Sequence, residues 1–359
     1  MLGLVVGWLT PAGAPLIVAI DDTLFRRTGR HVHGAFWAYD GYRQVTIDQL
    51  KLFRGTTFVV AAMVVELPFL DRPIALPLLF RLWRPGGPTK PALARDMIRL
   101  IAHARRDRRI HVVADGAYLC TTLRRLPANV TLTGPLPRHA ALWGTHPESA
   151  QARPVHRCGQ PRVRGQRIGT SDQLAATTPG SPVMVTRYGR TTTVTVHERR
   201  CLWYGVFRSQ PIRVLILREP RKPDLALVIT DQRHPPRTSS SATRSGGPSR
   251  SPSLTPNTTG AGEARNRTQQ AVERTAPFAM LVQTLVVVWY HLAGHSPKVV
   301  AERRGRAHWY TTKTHPSYQD MLTKLRRVLI AAQYRADLPG EATPEQIHTI
   351  RLAWANTAA

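Results

Sequence analysis

Leu16-Ile17-Val18-Ala19-Ile20-Asp21-Asp22-Thr23 runs five apolar residues straight into two carboxylates. The run is short and rich in β-branched side chains, with Pro15 before it and a charged turn, Arg26-Arg27-Thr28-Gly29-Arg30, soon after. That texture predicts a buried strand ending in acid. A second stretch repeats it: Ile110-His111-Val112-Val113-Ala114, then Asp115-Gly116-Ala117-Tyr118. Carboxylates at the ends of neighbouring strands can hold Mg²⁺ (or Mn²⁺) against a phosphate, which points to nucleic-acid chemistry. An aspartate after an apolar strand also serves as an ordinary turn or helix cap, so each site alone has a bland reading beside the metal-binding one.

Between the two acids, Thr57–Val65 reads as a further buried strand. Thr89 then caps a helix with Pro91 in its first turn, and Leu93, Met97, Ile98, Ile101 and Ala104 follow helical spacing. Arg105, Arg106, Arg108 and Arg109 close it, where cations suit the helix dipole. Strand, strand, helix, strand is the order of a mixed α/β sheet with its ligand at the carboxyl ends of strands. Upstream, Leu2–Leu9 reads as a short helix. Gly3, Gly7, Pro11, Gly13 and Pro15 break the uncharged first twenty residues too often for a membrane span. Phe278–Leu292 is apolar but interrupted by Gln283 and Thr284, as in a buried core helix.

The order predicts four segments. Residues 1–150 form the first part of an α/β core. Residues 151–231 form a β-rich insertion, with strands at Val183–Thr186, Thr191–Val196, Leu202–Phe207, Ile212–Leu217 and Leu225–Thr230. Residues 232–262 are a Ser/Pro/Arg tract with almost no large apolar side chain, a composition that predicts disorder. Residues 263–359 are helical. In that part, Ser317-Tyr318-Gln319-Asp320 resembles a capping box. It opens a helix with Met321, Leu322, Leu325, Val328, Leu329 and Ala332 on one face. Thr343-Pro344-Glu345-Gln346 opens another in the same way.

The charge is the unusual feature of the composition. Fifty Lys+Arg against 22 Asp+Glu give +28 on 359 residues and a pI near 11.4, and only six of the cations are lysine. Such a surface favours polyanions, because each cation set against a phosphate releases condensed counterions. Cys120, Cys158 and Cys201 lie far apart, which fits a reducing, cytoplasmic compartment rather than a disulfide framework. His156 with Cys158 and His197 with Cys201 could be assembled into a zinc site on paper, but neither pair has a familiar finger spacing, and scattered structural residues is the reading adopted.

The segments Val18–Phe25, Val112–Tyr118 and Glu263–Thr268 onward to Phe278 together resemble bacterial insertion-sequence DDE transposases, and most closely the actinobacterial branch of DDE-superfamily endonucleases. Leu292-Ala293-Gly294-His295-Ser296-Pro297 and Trp309–Thr314 carry the same likeness. The resemblance implies an RNase H-like mixed-sheet core with an antiparallel β insertion and a helical C-terminal part. It also implies transposon-end and target DNA as partners, with self-association on paired ends and no membrane. Two Mg²⁺ (or Mn²⁺) ions would be held by three carboxylates, for phosphodiester hydrolysis and strand transfer. By that resemblance Asp22 and Asp115 are catalytic and metal-binding, with Asp22 preferred to Asp21 because relatives place the ligand directly before Thr.

The third carboxylate departs from the pattern. Relatives carry it in a Tyr-x-x-Arg-x-x-x-Glu pattern shortly before the tract at Glu263, and no such pattern occurs here. Glu263 and Glu273 are the nearest substitutes. The expectation is therefore a transposase that is catalytically defective, frameshifted near Asp231 and restored near Gly260, and lacking the N-terminal DNA-binding helices of relatives. Residues 41–56, which match poorly, read as a smaller instance. The alternative is a non-catalytic basic DNA-binding remnant.

Overall fold

The computed structural model describes residues 1–39, 52–145, 164–187, 190–219, 223–232, 264–306, 313–336 and 343–356. All of the tract 232–262 except Gln232 lies outside them, as do Glu263, His156 and Cys158. Among the described residues one ten-stranded sheet dominates, in the order β2-β3-β1-β5-β6-β12-β11-β10-β9 with β4 also beside β3. Its strands are β1 (Leu16–Arg26), β2 (Phe36–Tyr39), β3 (Leu52–Val65), β4 (Ile74–Trp83), β5 (Ile110–Ala114), β6 (Val130–Pro135), β9 (Gly180–Arg187), β10 (Arg190–Cys201), β11 (Ile212–Arg218) and β12 (Leu225–Ile229). The short β7 (Leu142–Trp143) and β8 (Arg167–Gly169) pair separately.

β3 runs antiparallel to β1 and β4, while β1, β5 and β6 are mutually parallel. The crossover from β4 to β5 is α2 (Lys90–Ala104), started as its sequence predicts: the Thr89 side chain accepts from Ala92 N and Pro91 sits in the first turn. The strands of the expected insertion continue the core sheet, because β12 pairs with β6 and hands the sheet on to β11, β10 and β9.

Alternation sorts the core into two layers. Leu16, Val18 and Ile20 of β1 pack with Val59, Ala61 and Met63 of β3, Ile110, Val112 and Ala114 of β5, and the inward faces of α1 (Leu2–Leu9) and α2. Phe25, Phe58, Val60 and Phe80 pack on the other face against Val272, Ala276 and Met280 of α5 (Gln269–Trp289). With both faces covered, β3 is buried almost continuously from Thr56 to Met63, as its unbroken apolar run predicts. Helix α5 starts nine residues before the apolar stretch Phe278–Leu292 and carries Pro277 inside it. Val272, Ala276 and Met280, one turn apart and held by the sheet, override the missing proline donor.

A bulge in β4 lets that strand serve both layers. Ala61 pairs with Leu79 and Ala62 with Pro77, so Leu78 is extra and the side chains change faces across it. Beside the bulge, the fully buried Thr284 hydroxyl of α5 donates to the Pro77 carbonyl at 2.9 Å. Thr284→Val keeps the shape and removes this buried hydrogen bond, so it should cost about 1 kcal/mol in urea unfolding. The residue that made α5 look imperfect as an apolar helix is thus a polar link in the core. Gln269–Gly294 is nevertheless long and apolar enough to cross a bilayer by length and composition.

The rest of the C-terminal part comprises α6 (Lys298–Arg306), α7 (Tyr318–Ala336) and α8 (Pro344–Asn356). Both predicted starts are observed: Ser317 N donates to Asp320 Oδ2 at 2.7 Å, and Thr343 N donates to Gln346 Oε1 at 2.8 Å. One expectation fails, the strand at Leu202–Phe207, and the apolar face of α7 is only partly covered. The apolar face of α7 is buried only at Met321 and half-buried at Leu322 and Leu325, while Val328 and Leu329 are exposed. Leu202–Phe207 is no strand: after Leu202 the chain coils into a single turn, α4 (Tyr204–Phe207), so that Trp203 and Phe207 both reach the core.

On β5, His111 is wedged between β5 and β6, with Nδ1 2.7 Å from Thr131 Oγ1 and Nε2 2.9 Å from Thr133 Oγ1. Burial pushes its pKa below the ordinary 6.5, only partly opposed by the negative charge of Asp231. The unfolded chain binds this proton more readily, so stability is complete above pH 6.5 and falls as pH drops below it. His111→Gln should flatten that loss when urea midpoints at pH 7.5 and 5 are compared.

Candidate active site

β1 and β5 are parallel, and their pairing ends at Ile20 opposite Ala114. The next residues are therefore Asp21 on one strand and Asp115 on the other, with Asp22 one step further. β1 itself runs on through both aspartates to Arg26, paired with β3, whereas β5 ends at Ala114. Asp21 and Asp22 lie on opposite faces of an extended strand. Asp22 follows Val18 and Ile20 onto the α2 face, and Asp21 turns to the other and accepts from the Asp22 backbone N–H at 2.8 Å.

At the end of β5, Asp115 keeps an extended backbone and its Oδ1 accepts from Gly116 N at 2.6 Å. This caps a 3₁₀ turn, Gly116–Tyr118, which drives the Tyr118 ring into the core at 1% exposure. The phenol remains in contact with Asp22, donating to its Oδ1 at 3.4 Å. Burial pushes the Tyr118 pKa far up, and the negative charges of Asp22, Asp21 and Asp115 add to it. The hydroxyl thus stays protonated as a donor to Asp22.

Asp22 has a second partner. Lys90, the first residue of α2, places Nζ 2.6 Å from Asp22 Oδ2 and 5.3 Å from the centre of the Trp83 ring. An ammonium at a helix N-terminus opposes the dipole, so the carboxylate and the indole face are what hold it there. Neither Lys90 nor Tyr118 was singled out from the sequence. They lie 68 and 96 residues from Asp22, and only the fold brings them in.

Aspartate oxygens are the donor type that Mg²⁺ or Mn²⁺ takes, and the cation already against Asp22 marks a place where positive charge is stabilised. Asp22 and Asp115 fit such an ion in kind. Among the described residues no group of three or more His, Cys, Asp or Glu gathers as a metal cluster. Glu273 stands half-exposed on α5 and accepts from Gln269 of the same helix. The paper zinc site does not form from its described half. His197 and Cys201 are four residues apart along β10, about 13 Å in an extended chain. His197 Nδ1 lies 2.7 Å from the Thr178 carbonyl oxygen, and burial pushes the Cys201 thiol up to about 12.

No curated protein sequence matches the chain. Among solved structures it is similar to a piggyBac transposase in a synaptic complex with hairpin DNA, at 9% identity and a TM-score of 0.39. That alignment covers 97% of this chain and 58% of the other, so the chain spans less than two thirds of that protein's length. The family described as DDE superfamily endonuclease matches residues 1–209, a stretch that holds β1, α2, β5 and all three aspartates. A match over more than half of 359 residues places the chain in that family: it is a member of the DDE superfamily endonucleases.

Proposed function

We propose that the protein is a DDE-type transposase of insertion-sequence origin. Its fold is built to bind DNA and to cleave phosphodiester bonds with Asp22 and Asp115 as ligands of Mg²⁺ or Mn²⁺. The observation that carries the reading is the placing of the aspartates where the parallel pairing of β1 and β5 stops, Asp21-Asp22 on β1 and Asp115 just past β5, with the Tyr118 hydroxyl donating to Asp22. The order β4-β3-β1-β5-β6, with β3 alone antiparallel and a helix crossing from β4 to β5, supports an RNase H-like core. The charge of +28 supports DNA as partner.

When bound, the metal would activate a water or a 3′-hydroxyl and stabilise the leaving oxygen. The chain's own residues orient Asp22 between Tyr118 and Lys90 and fix Asp115 on Gly116. The third carboxylate has no counterpart in the sequence pattern, and this supports a chain that binds DNA without cutting it at a useful rate.

The test combines gel retardation with nicking of supercoiled DNA in Mg²⁺ or Mn²⁺. DNA binding should weaken steeply with salt and be unchanged by Asp22→Asn or Asp115→Asn, and the plasmid should stay intact. Nicking that Asp22→Asn or Asp115→Asn abolishes would overturn the defective reading. Loss on Asp21→Asn alone would move the ligand to the neighbouring residue. Reading the gene's other two frames across 232–260 for a helix carrying a glutamate tests the frameshift.

A further inference from the structure

We propose that Lys90 is a tethered cation that occupies the metal side of Asp22 and yields it to a divalent ion. The inference rests on Asp22 being a metal ligand and goes beyond it, by assigning a positioning role to a residue of α2. Three features of the geometry point to it. The ammonium meets Oδ2 at 2.6 Å while the Tyr118 hydroxyl meets Oδ1 at 3.4 Å, so both oxygens of one carboxylate are oriented by the chain's own groups. Lys90 and Asp22 side chains are 33% and 31% exposed, so a hydrated ion can reach the carboxylate and the displaced ammonium has water to enter. Lys90 also starts α2, where the dipole disfavours it, so its grip on Asp22 is looser than at a neutral position.

An ordinary surface ion pair would share the short distance. It would not require the pair to sit just past the last paired residues of β1 and β5, where Asp21 and Asp115 follow Ile20 and Ala114. A lysine suits the task better than the arginine this chain uses almost everywhere else. Its charge is a compact, strongly hydrated point on a flexible stem, whereas a guanidinium would fork across both oxygens and hold them.

Manganese binding to the full chain, followed by electron paramagnetic resonance of the free ion, tests the idea without relying on activity. Lys90→Met should tighten Mn²⁺ binding about fivefold, in line with the worth of a half-exposed ion pair. Adding Asp22→Asn to Lys90→Met should abolish the gain. Unchanged affinity in Lys90→Met, together with loss on Asp22→Asn, overturns the tethered cation and leaves Asp22 a ligand. No saturable Mn²⁺ binding in wild type and Lys90→Met, each with a cooperative melt, overturns both. Wild-type protein supplies a second measurement should Lys90→Met not fold. Acylation of the Lys90 amine by a succinimidyl ester, read by mass spectrometry, should speed up several-fold when Mn²⁺ is added. An unchanged rate overturns the proposal.

Discussion

Tyr118→Ala should destabilise the protein by about 3–5 kcal/mol, while Tyr118→Phe should cost less than about 1 kcal/mol in urea unfolding at pH 7. The ring is 1% exposed and belongs to the same core layer as the strands that carry the acids, so removing it leaves a cavity that the 3₁₀ turn cannot close. The hydroxyl makes one long hydrogen bond, at 3.4 Å, to a carboxylate that keeps Lys90 and partial access to water. Packing should therefore outweigh the polar contact. A Phe variant as damaged as the Ala variant would reverse that order. The pH dependence separates the two contributions further. Tyr118 is an acid whose folded pKa is raised by burial first and by the three aspartates second. Its contribution is complete below the unfolded value of 10.0 and is lost as pH rises above it, because the unfolded chain ionises while the folded phenol cannot. In chelator, wild type should lose about 1.4 kcal/mol per pH unit above pH 10 on this account. Tyr118→Phe should remove that share and leave the shares of Tyr290 and Tyr318, which burial also raises.

The strands that bear the acids were legible because each is a local signal. Leu16–Ile20 and Ile110–Ala114 are short apolar runs and both are buried in strands, but only β5 stops at its aspartate, since β1 runs on through Asp21 and Asp22 to Arg26. The start of α2 was legible for the same reason, since Thr89 and Pro91 act within one turn. What surrounds the acids was not. Lys90 looks like a helix-start surface cation, and Tyr118 like one more apolar residue after a strand. A weak signal existed in each case: lysine is rare in this arginine-rich chain, and Tyr118 sits one 3₁₀ turn after Asp115.

Other departures have tertiary causes. Arg108 reads as a helix-closing cation. The helix ends at Ala104, and Arg108 is buried with its guanidinium donating to the Pro11 and Ala14 carbonyl oxygens, tying the loop after α1 to the core. Trp203 and Phe207 have strand propensity, yet a helical turn lets both side chains reach one core. On α7, helical spacing marks Leu329 as inward, but Arg327 is the buried residue, set over the Trp354 ring at 5.4 Å and 3.8 Å from Glu302. Periodicity identifies a face; it does not identify what the neighbouring element offers that face.

Gly134→Val should destabilise by about 3 kcal/mol or more, and Gly134→Ala by about 1–3 kcal/mol, with the damage centred on Asp115. Gly134 lies on β6 where the chain passes the end of β5. A Cβ there would stand 2.6 Å from the Ala114 carbonyl oxygen and 3.1 Å from the Leu119 side chain. The first contact is with backbone, which cannot swing aside as a side chain can. Relief requires β5 and β6 to separate just before Asp115, or β6 to shift against Val228 of β12. Gly134 has no positive φ, so the need for glycine comes from close approach and not from backbone conformation. Gly116→Ala is the matched control: its Cβ would meet nothing nearer than 3.6 Å, so stability should change little although the residue adjoins the same aspartate. Amide exchange at Gly116, whose N–H is bonded to Asp115, reports the local effect. Gly134→Ala should speed that exchange more than exchange at Val18 in the centre of β1. Equal acceleration at both would mean the strain spreads through the sheet and does not collect where the two acids are held.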